Sequence, residues 1–296
     1  MIVFKGSGVA LVTPFDNCGG INFKSYEKLL EFHLENKTQA LIISGTTGES
    51  ATLSDQEKFD LLKFAVNKCE KKIKIIAGTG SNNTRHVIYL TQEAKKIGVD
   101  ACLIVTPYYN KTSQIGLIEH YKKISEIGLP IIIYNVPTRT GLNILSETYA
   151  KLLNLKNIVG IKEASGNISQ VAEIFSLCAA RKEIAVYSGN DDQIVPVLSL
   201  GGHGVISVLA NIFPKETQEI CENYFNGETK KSRDLQIKFL PLIKNLFCDV
   251  NPMPIKFIMN YIGFDVGKCR LPLVDLSEKN KNKIFEALEQ TKIFTY

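Results

Sequence analysis

Lys162 ends the apolar run Ile158-Val159-Gly160-Ile161, so its stem leaves a strand of buried character and its amine sits where water is scarce. A lysine in water is about 0.1% neutral near pH 7.5, whereas burial lowers its pKa by several units and yields an amine able to form a Schiff base with a carbonyl. The same setting also suits a lysine that snorkels or pairs with Glu163. Tyr134 closes the preceding apolar run, and in a closed sheet its hydroxyl would lie near the amine, able to shuttle protons to a carbinolamine and an enamine. Thr46 and Thr47 stand between Gly45 and Gly48, where a tight backbone turn can bring amides and hydroxyls to a carboxylate, although an ordinary turn reads the same way. Arg139 offers a planar fork for a second carboxylate, or a surface ion pair.

Other chemistries find less support. The seven cysteines are odd in number and no two lie within about 20 residues, which excludes a C-x-x-C pair and fits reduced thiols of the cytosol. The four histidines are equally scattered, without H-E-x-x-H or ligand spacing, so no metal is expected. Gly78-Thr79-Gly80 has Asn83 where a dinucleotide fingerprint needs its third glycine, and no P-loop occurs; Gly201-Gly202-His203-Gly204 reads as tight packing. A formal net charge of +5, from 35 basic and 30 acidic side chains, is too small a surplus to imply nucleic acid. No apolar run approaches a membrane span, and the start, with Lys5, Gly6 and Gly8, lacks a secretory pattern, so a cytoplasmic protein is expected.

The elements that would position these groups repeat. Short apolar runs start near Val9, Ala40, Ile73, Ala101, Ile131, Ile158, Ile184 and Gly204, at the spacing of strand, loop, helix and loop. Between them lie helical patterns: Ser54 and Glu57 form a capping box ahead of Phe59, Leu62, Val66 and Cys69, and Gly98 stands where a helix should stop. Runs such as Ile131–Tyr134 are apolar on both faces, as in a parallel sheet covered by helices. An α/β (β/α)₈ TIM barrel is therefore expected, with an open doubly wound sheet as the weaker alternative. Its strands would close near Ala210. Helices are expected at Pro214–Phe225, Ser232–Phe247, Pro254–Ile262 and Ser277–Thr291, giving a catalytic barrel over 1–224 and a C-terminal helical domain over 225–296 packed against it.

Four segments at strand ends, Gly45-Thr46-Thr47-Gly48-Glu49-Ser50, Val105-Thr106-Pro107-Tyr108-Tyr109-Asn110, Tyr134-Asn135-Val136-Pro137-Thr138-Arg139-Thr140-Gly141 and Gly160-Ile161-Lys162-Glu163-Ala164-Ser165-Gly166, together resemble the 4-hydroxy-tetrahydrodipicolinate synthase family of lysine and diaminopimelate biosynthesis. The likeness runs from the first strand to Asn251-Pro252-Met253-Pro254. It implies a lyase that needs no cofactor beyond the Schiff base of Lys162 with pyruvate, whose enamine attacks L-aspartate 4-semialdehyde. It further implies a proton relay of Tyr134, Thr46 and Tyr109, the last reaching in from a neighbouring subunit of a homotetramer built as a dimer of dimers. Thr47 and the Ile206 backbone match pyruvate contacts, Gly189 the pocket floor, and Arg139 the holder of the semialdehyde carboxylate.

N-acetylneuraminate lyase and the 2-keto-3-deoxy sugar acid aldolases use the same enamine with other aldehydes. The Thr46-Thr47 pair and Arg139 favour the synthase, because a polyhydroxy sugar asks for hydroxyl partners rather than a second cationic clamp. A barrel that keeps its pocket only to bind a small molecule fits poorly with Lys162, Tyr134, Thr46 and Tyr109 all present. Ser50, Ala51, Asn82 and Tyr108 match the family's inhibitory lysine site. Asp55, Lys58 and His86, however, stand where lysine-sensitive relatives carry two histidines and a glutamate, and Lys58 would repel cationic lysine, so weak or no inhibition is expected.

Overall fold

A computed structural model describes residues 2–178 and 184–291; Met1 and 292–296 of the expected domains lie outside them. Its strands are β1 Gly6–Ala10, β2 Ala40–Ile43, β3 Lys74–Gly78, β4 Ala101–Val105, β5 Ile131–Asn135, β6 Ile158–Glu163, β7 Ala185–Ser188 and β8 Gly204–Ser207. All neighbours pair in parallel and β8 returns to β1, so the sheet is a closed barrel. The helices are α1 Phe23–Glu35, α2 Asp55–Cys69, α3 Thr84–Ile97, α4 Gln114–Ser125, α5 Pro137–Thr140, α6 Ser146–Leu152, α7 Ile168–Cys178, α8 Ile194–Ser199, α9 Pro214–Phe225, α10 Thr229–Asn245, α11 Met253–Tyr261 and α12 Glu278–Thr291.

Strand residues serve two cores, which is why their runs lack polar alternation. Val9, Leu41, Ile43, Ile75, Ile104, Ile131, Ile133 and Val186 point outward against the helices, while Ala10, Ile42, Ile76, Leu103, Ile132 and Tyr187 fill the barrel. Each Val, Leu or Ile among them contributes about 1.5–3 kcal/mol when fully buried. Phe4 stacks on Tyr187 with ring centroids 4.2 Å apart, and the Tyr187 hydroxyl donates to the Phe4 carbonyl at 2.7 Å. These contacts seal the end away from the strand C-termini, leaving the opposite end open.

The expected capping box is present: the Ser54 hydroxyl accepts from the Glu57 amide, and the Glu57 carboxylate accepts from the Ser54 amide. Gly98 ends α3 with φ 95°. The Gly201–Gly204 stretch packs, as expected: a Cβ on Gly204 would lie 1.8 Å from the Gly6 carbonyl oxygen where β8 meets β1. That closure explains why β1 starts at Gly6 rather than Val9, since its first residues are small so that the sheet can close. The start of α10 at Thr229 instead of Ser232 adds a polar turn with no apolar periodicity to announce it. α9 packs on both β1 and α10, and the expected 224/225 boundary falls in its last turn. Phe239, Leu242, Met259, Ile284 and Leu288 of the tail join the same core as the barrel's outer residues, so the tail is docked.

Candidate active site

At the open end, the strand C-termini and the tail enclose a cavity of about 630 Å³. Lys162, Tyr134, Thr46, Thr47, Arg139 and Gly189 all line it, and so do Ser44, Asn190, Phe247, Val250 and Asn251.

Lys162 faces this cavity because β6 is irregular. Ile131 pairs with Ile158 but Ile132 pairs with Gly160, so one residue of β6 is extra. Ile158 and Ile161 therefore both point outward while Val159 points in, and Lys162 follows Ile161 by turning inward. In the shifted register Lys162 is the partner of Tyr134, and its Nζ lies 4.3 Å from the centre of the phenol ring. Only 5% of Lys162 is exposed. Burial lowers its pKa to about 7; buried Asp191 pulls it up, and Arg139 pushes it down further. A far larger share of the amine is therefore neutral near pH 7 than in water.

Pairing of Lys162 with Glu163, the other reading of its setting, does not occur: among the described residues Glu163 pairs with no cation and turns to the helices, where Asn135, Tyr149 and Ser165 donate to it. Gly189 makes room for the lysine stem, since a Cβ there would lie 2.6 Å from Cβ of Ala164 and 3.1 Å from Cε of Lys162. Asp191 accepts from the Val208 and Leu209 amides at 3.0 Å each, which ties the β7 end to the β8 end.

Tyr134 is buried. Burial raises its pKa against the opposing pull of Arg139 and a hydrogen bond with the Thr46 side chain, so the phenol stays protonated and able to donate. Thr46 and Thr47 sit on a loop held from two sides. The Asn251 side-chain amide donates to the Thr47 hydroxyl at 3.0 Å, and Lys256 of α11 pairs with buried Glu49 at 3.0 Å. Ser44 and Glu49 take left-handed backbone conformations, with φ of 57° and 55°, and such uncommon geometry marks loops held in place by their surroundings. Arg139 stands on α5, where its guanidinium donates to the Asn251 carbonyl at 3.3 Å. The buried Ser44 Oγ and Asn251 Oδ1 have no hydrogen-bond partner among the described residues and remain available to a ligand.

Two expected residues stand outside this cavity, one expected to act through its backbone and the other in a neighbouring subunit. The Ile206 side chain is buried in the barrel interior and does not line the cavity; the expected pyruvate contact is of its backbone. Tyr109 is 91% exposed at φ 68°, outside the cavity of its own chain. Ser50, Ala51 and Tyr108 line an adjoining cavity of about 340 Å³, whereas Asn82 does not; its carbonyl accepts from the Asn110 side chain. Asp55, Lys58 and His86 do converge: Asp55 lies 3.7 Å from Lys58 Nζ and 2.9 Å from His86 Nε2. Asn251 was legible only as a tail turn and Phe247 only as the end of a helix, and nothing in their types, or in Val250, announced a cavity wall. Among the described residues no cluster of three or more His, Cys, Asp or Glu side chains is arranged for a metal.

The chain is similar over almost its whole length to known enzymes. The 4-hydroxy-tetrahydrodipicolinate synthase of Caldicellulosiruptor bescii is 55% identical over 289 residues, covering 97% of each chain. That of Clostridium novyi is 53% identical over 290 residues, covering 98% of this chain and 97% of the relative. The crystal structure of dihydrodipicolinate synthase from Thermotoga maritima superposes with a TM-score of 0.96 at 45% identity, covering 99% of this chain and 100% of that one. The family model of the dihydrodipicolinate synthetase family matches residues 3–291, and the chain belongs to that family.

Proposed function

We propose that the chain is a lyase, a 4-hydroxy-tetrahydrodipicolinate synthase, that condenses pyruvate with L-aspartate 4-semialdehyde and serves lysine and diaminopimelate biosynthesis. The observation that carries this reading is an amine with pKa about 7, 5% exposed, over the ring of a protonated phenol at the floor of a cavity whose wall includes Arg139. The family and the named relatives supply the substrates.

In this mechanism the neutral Lys162 amine attacks the keto carbon of pyruvate, and the carbinolamine loses water to give an imine. Loss of a methyl proton makes the enamine, whose terminal carbon attacks the aldehyde carbon of the semialdehyde. The semialdehyde's amine then attacks the imine carbon and expels Lys162, so that one water leaves for each product formed. Tyr134, with Thr46 beside it, hands protons to and from the carbinolamine oxygen and the new alkoxide. Thr47 and the unpartnered Ser44 hydroxyl face the pyruvate carboxylate, and Arg139 holds the carboxylate of the semialdehyde as a charge-assisted pair. No cofactor enters these steps, since the lysine is itself the electrophile-forming group.

Tyr109 completes the relay of a second subunit in a homotetramer arranged as a dimer of dimers; its exposure at a constrained φ supports that role. A cytoplasmic setting belongs to the same reading, supported by buried thiols at Cys69, Cys102 and Cys221 and by the lack, among the described residues, of any helix long and apolar enough to cross a membrane. Initial rates with pyruvate and either L-aspartate 4-semialdehyde or N-acetylmannosamine test the reading. Turnover confined to the semialdehyde is expected. Turnover of the sugar alone contradicts it.

A further inference from the structure

The register that sets Lys162 beside Tyr134 is not the one in which β5 and β6 begin to pair. Ile131 opposes Ile158, the extra residue intervenes, and only then does Tyr134 oppose Lys162 and Asn135 oppose Glu163. A one-residue slip back would turn Lys162 out of the barrel, because side chains alternate between the two faces. Something must hold the shifted register at the strand ends, and the outward face of the barrel wall supplies it.

Glu163 is 2% exposed and Asn135 is wholly buried. The Asn135 side-chain amide donates to both carboxylate oxygens, at 3.0 and 3.1 Å. Tyr149 of α6 donates at 2.9 Å, the Ser165 amide at 2.8 Å, and Gln170 of α7 at 3.4 Å. A buried carboxylate is costly to desolvate and is tolerated here because neutral donors surround it. Four donor groups from β5, a loop and two helices thus converge on one β6 side chain adjacent to Lys162, and the chief donor is adjacent to Tyr134.

Resting on the Schiff-base reading above, we propose that Glu163 and Asn135 are positioning residues, a clamp behind the barrel wall that holds the shifted register and with it the Lys162 amine over the Tyr134 ring. Neither touches the cavity, so neither binds substrate. Glu163→Gln keeps the shape but places an NH₂ among the groups that donate to Glu163, replacing an acceptor by a donor. Tyr149→Phe removes one donor and leaves the clamp otherwise intact, so it decides the matter if Glu163→Gln does not fold.

The experiment follows borohydride trapping of pyruvate by the parent and both variants, with kcat and KM. For Glu163→Gln, a misplacement of the order of 1 Å lowers kcat and the trapping rate about 100-fold, with the pyruvate KM within about threefold. For Tyr149→Phe the fall is about tenfold. In both, the final yield of adduct per chain matches the parent. Variants that trap at the parent's rate, whether at full yield or at a yield reduced by unfolding, overturn the clamp. A parent that forms no adduct instead refutes the reading on which the clamp rests.

Discussion

Replacing Lys162 by Met should make the protein more stable, and should do so only where the lysine would be charged. The folded state holds this amine at a pKa of about 7 against an ordinary 10.5. Between those values the unfolded chain carries a proton that the folded chain has released, so parental stability rises with pH across that window and the penalty is largest below it. At about 1.4 kcal/mol for each tenfold, the displacement corresponds to about 5 kcal/mol. Discounted for relaxation of the surroundings, about 2–3 kcal/mol is expected, while the Met side chain keeps the apolar contacts of the stem. In a chain of this size that is a rise of about 5–10 °C in Tm. Thermal unfolding of parent and Lys162→Met, followed in parallel from about pH 6.5 to about pH 9.5, reads the difference; other titrating groups cancel in it. The variant's advantage should shrink steadily as pH rises. An advantage that is flat with pH, or a variant less stable at the acid end, would refute the claim that the fold holds an amine against its preference.

Other perturbations separate the roles in the cavity. Tyr134→Phe keeps the ring over Lys162 but removes the hydroxyl proposed as proton shuttle, and steady-state kcat should fall about 10²–10⁴-fold while the fold, by circular dichroism, is unchanged. Arg139→Leu should reduce kcat/KM for the semialdehyde about 10–100-fold with trapping of pyruvate alone unaffected, since the proposed mechanism assigns its guanidinium to the second substrate. Gly189→Ala places a methyl against the Lys162 stem and Ala164, so a loss of about 1–3 kcal/mol in stability and slower trapping are expected from melting curves and borohydride time courses. Millimolar L-lysine should leave the initial rate within about twofold, because Lys58 stands 3.7 Å from Asp55 and occupies its charge.

Much of the barrel was legible because parallel strands buried on both faces read as short apolar runs at regular spacing. The ends were less so. Gly6, Ser7 and Gly8 belong to β1 for closure rather than for strand propensity, and Thr229–Lys231 extend α10 without an apolar stripe. Of the site, Lys162, Tyr134, Thr46, Thr47 and Arg139 stand at strand C-termini, where reactive groups of such a barrel gather, while Gly189 was expected from the family resemblance. The inward turn of Lys162 was not legible: Ile-Val-Gly-Ile is apolar on both faces, so the extra residue leaves no trace in the pattern. Asn251 was hidden for another reason. It comes from a turn more than 80 residues beyond Lys162, and only tertiary packing lays it against Thr47 and Arg139.

The central claim is that one buried amine does the covalent chemistry. Incubation with pyruvate, reduction with borohydride and peptide mapping by mass spectrometry tests it directly. A single reduced pyruvate adduct on Lys162, lost in Lys162→Met, is the predicted result; an adduct on another lysine, or none, would contradict the account.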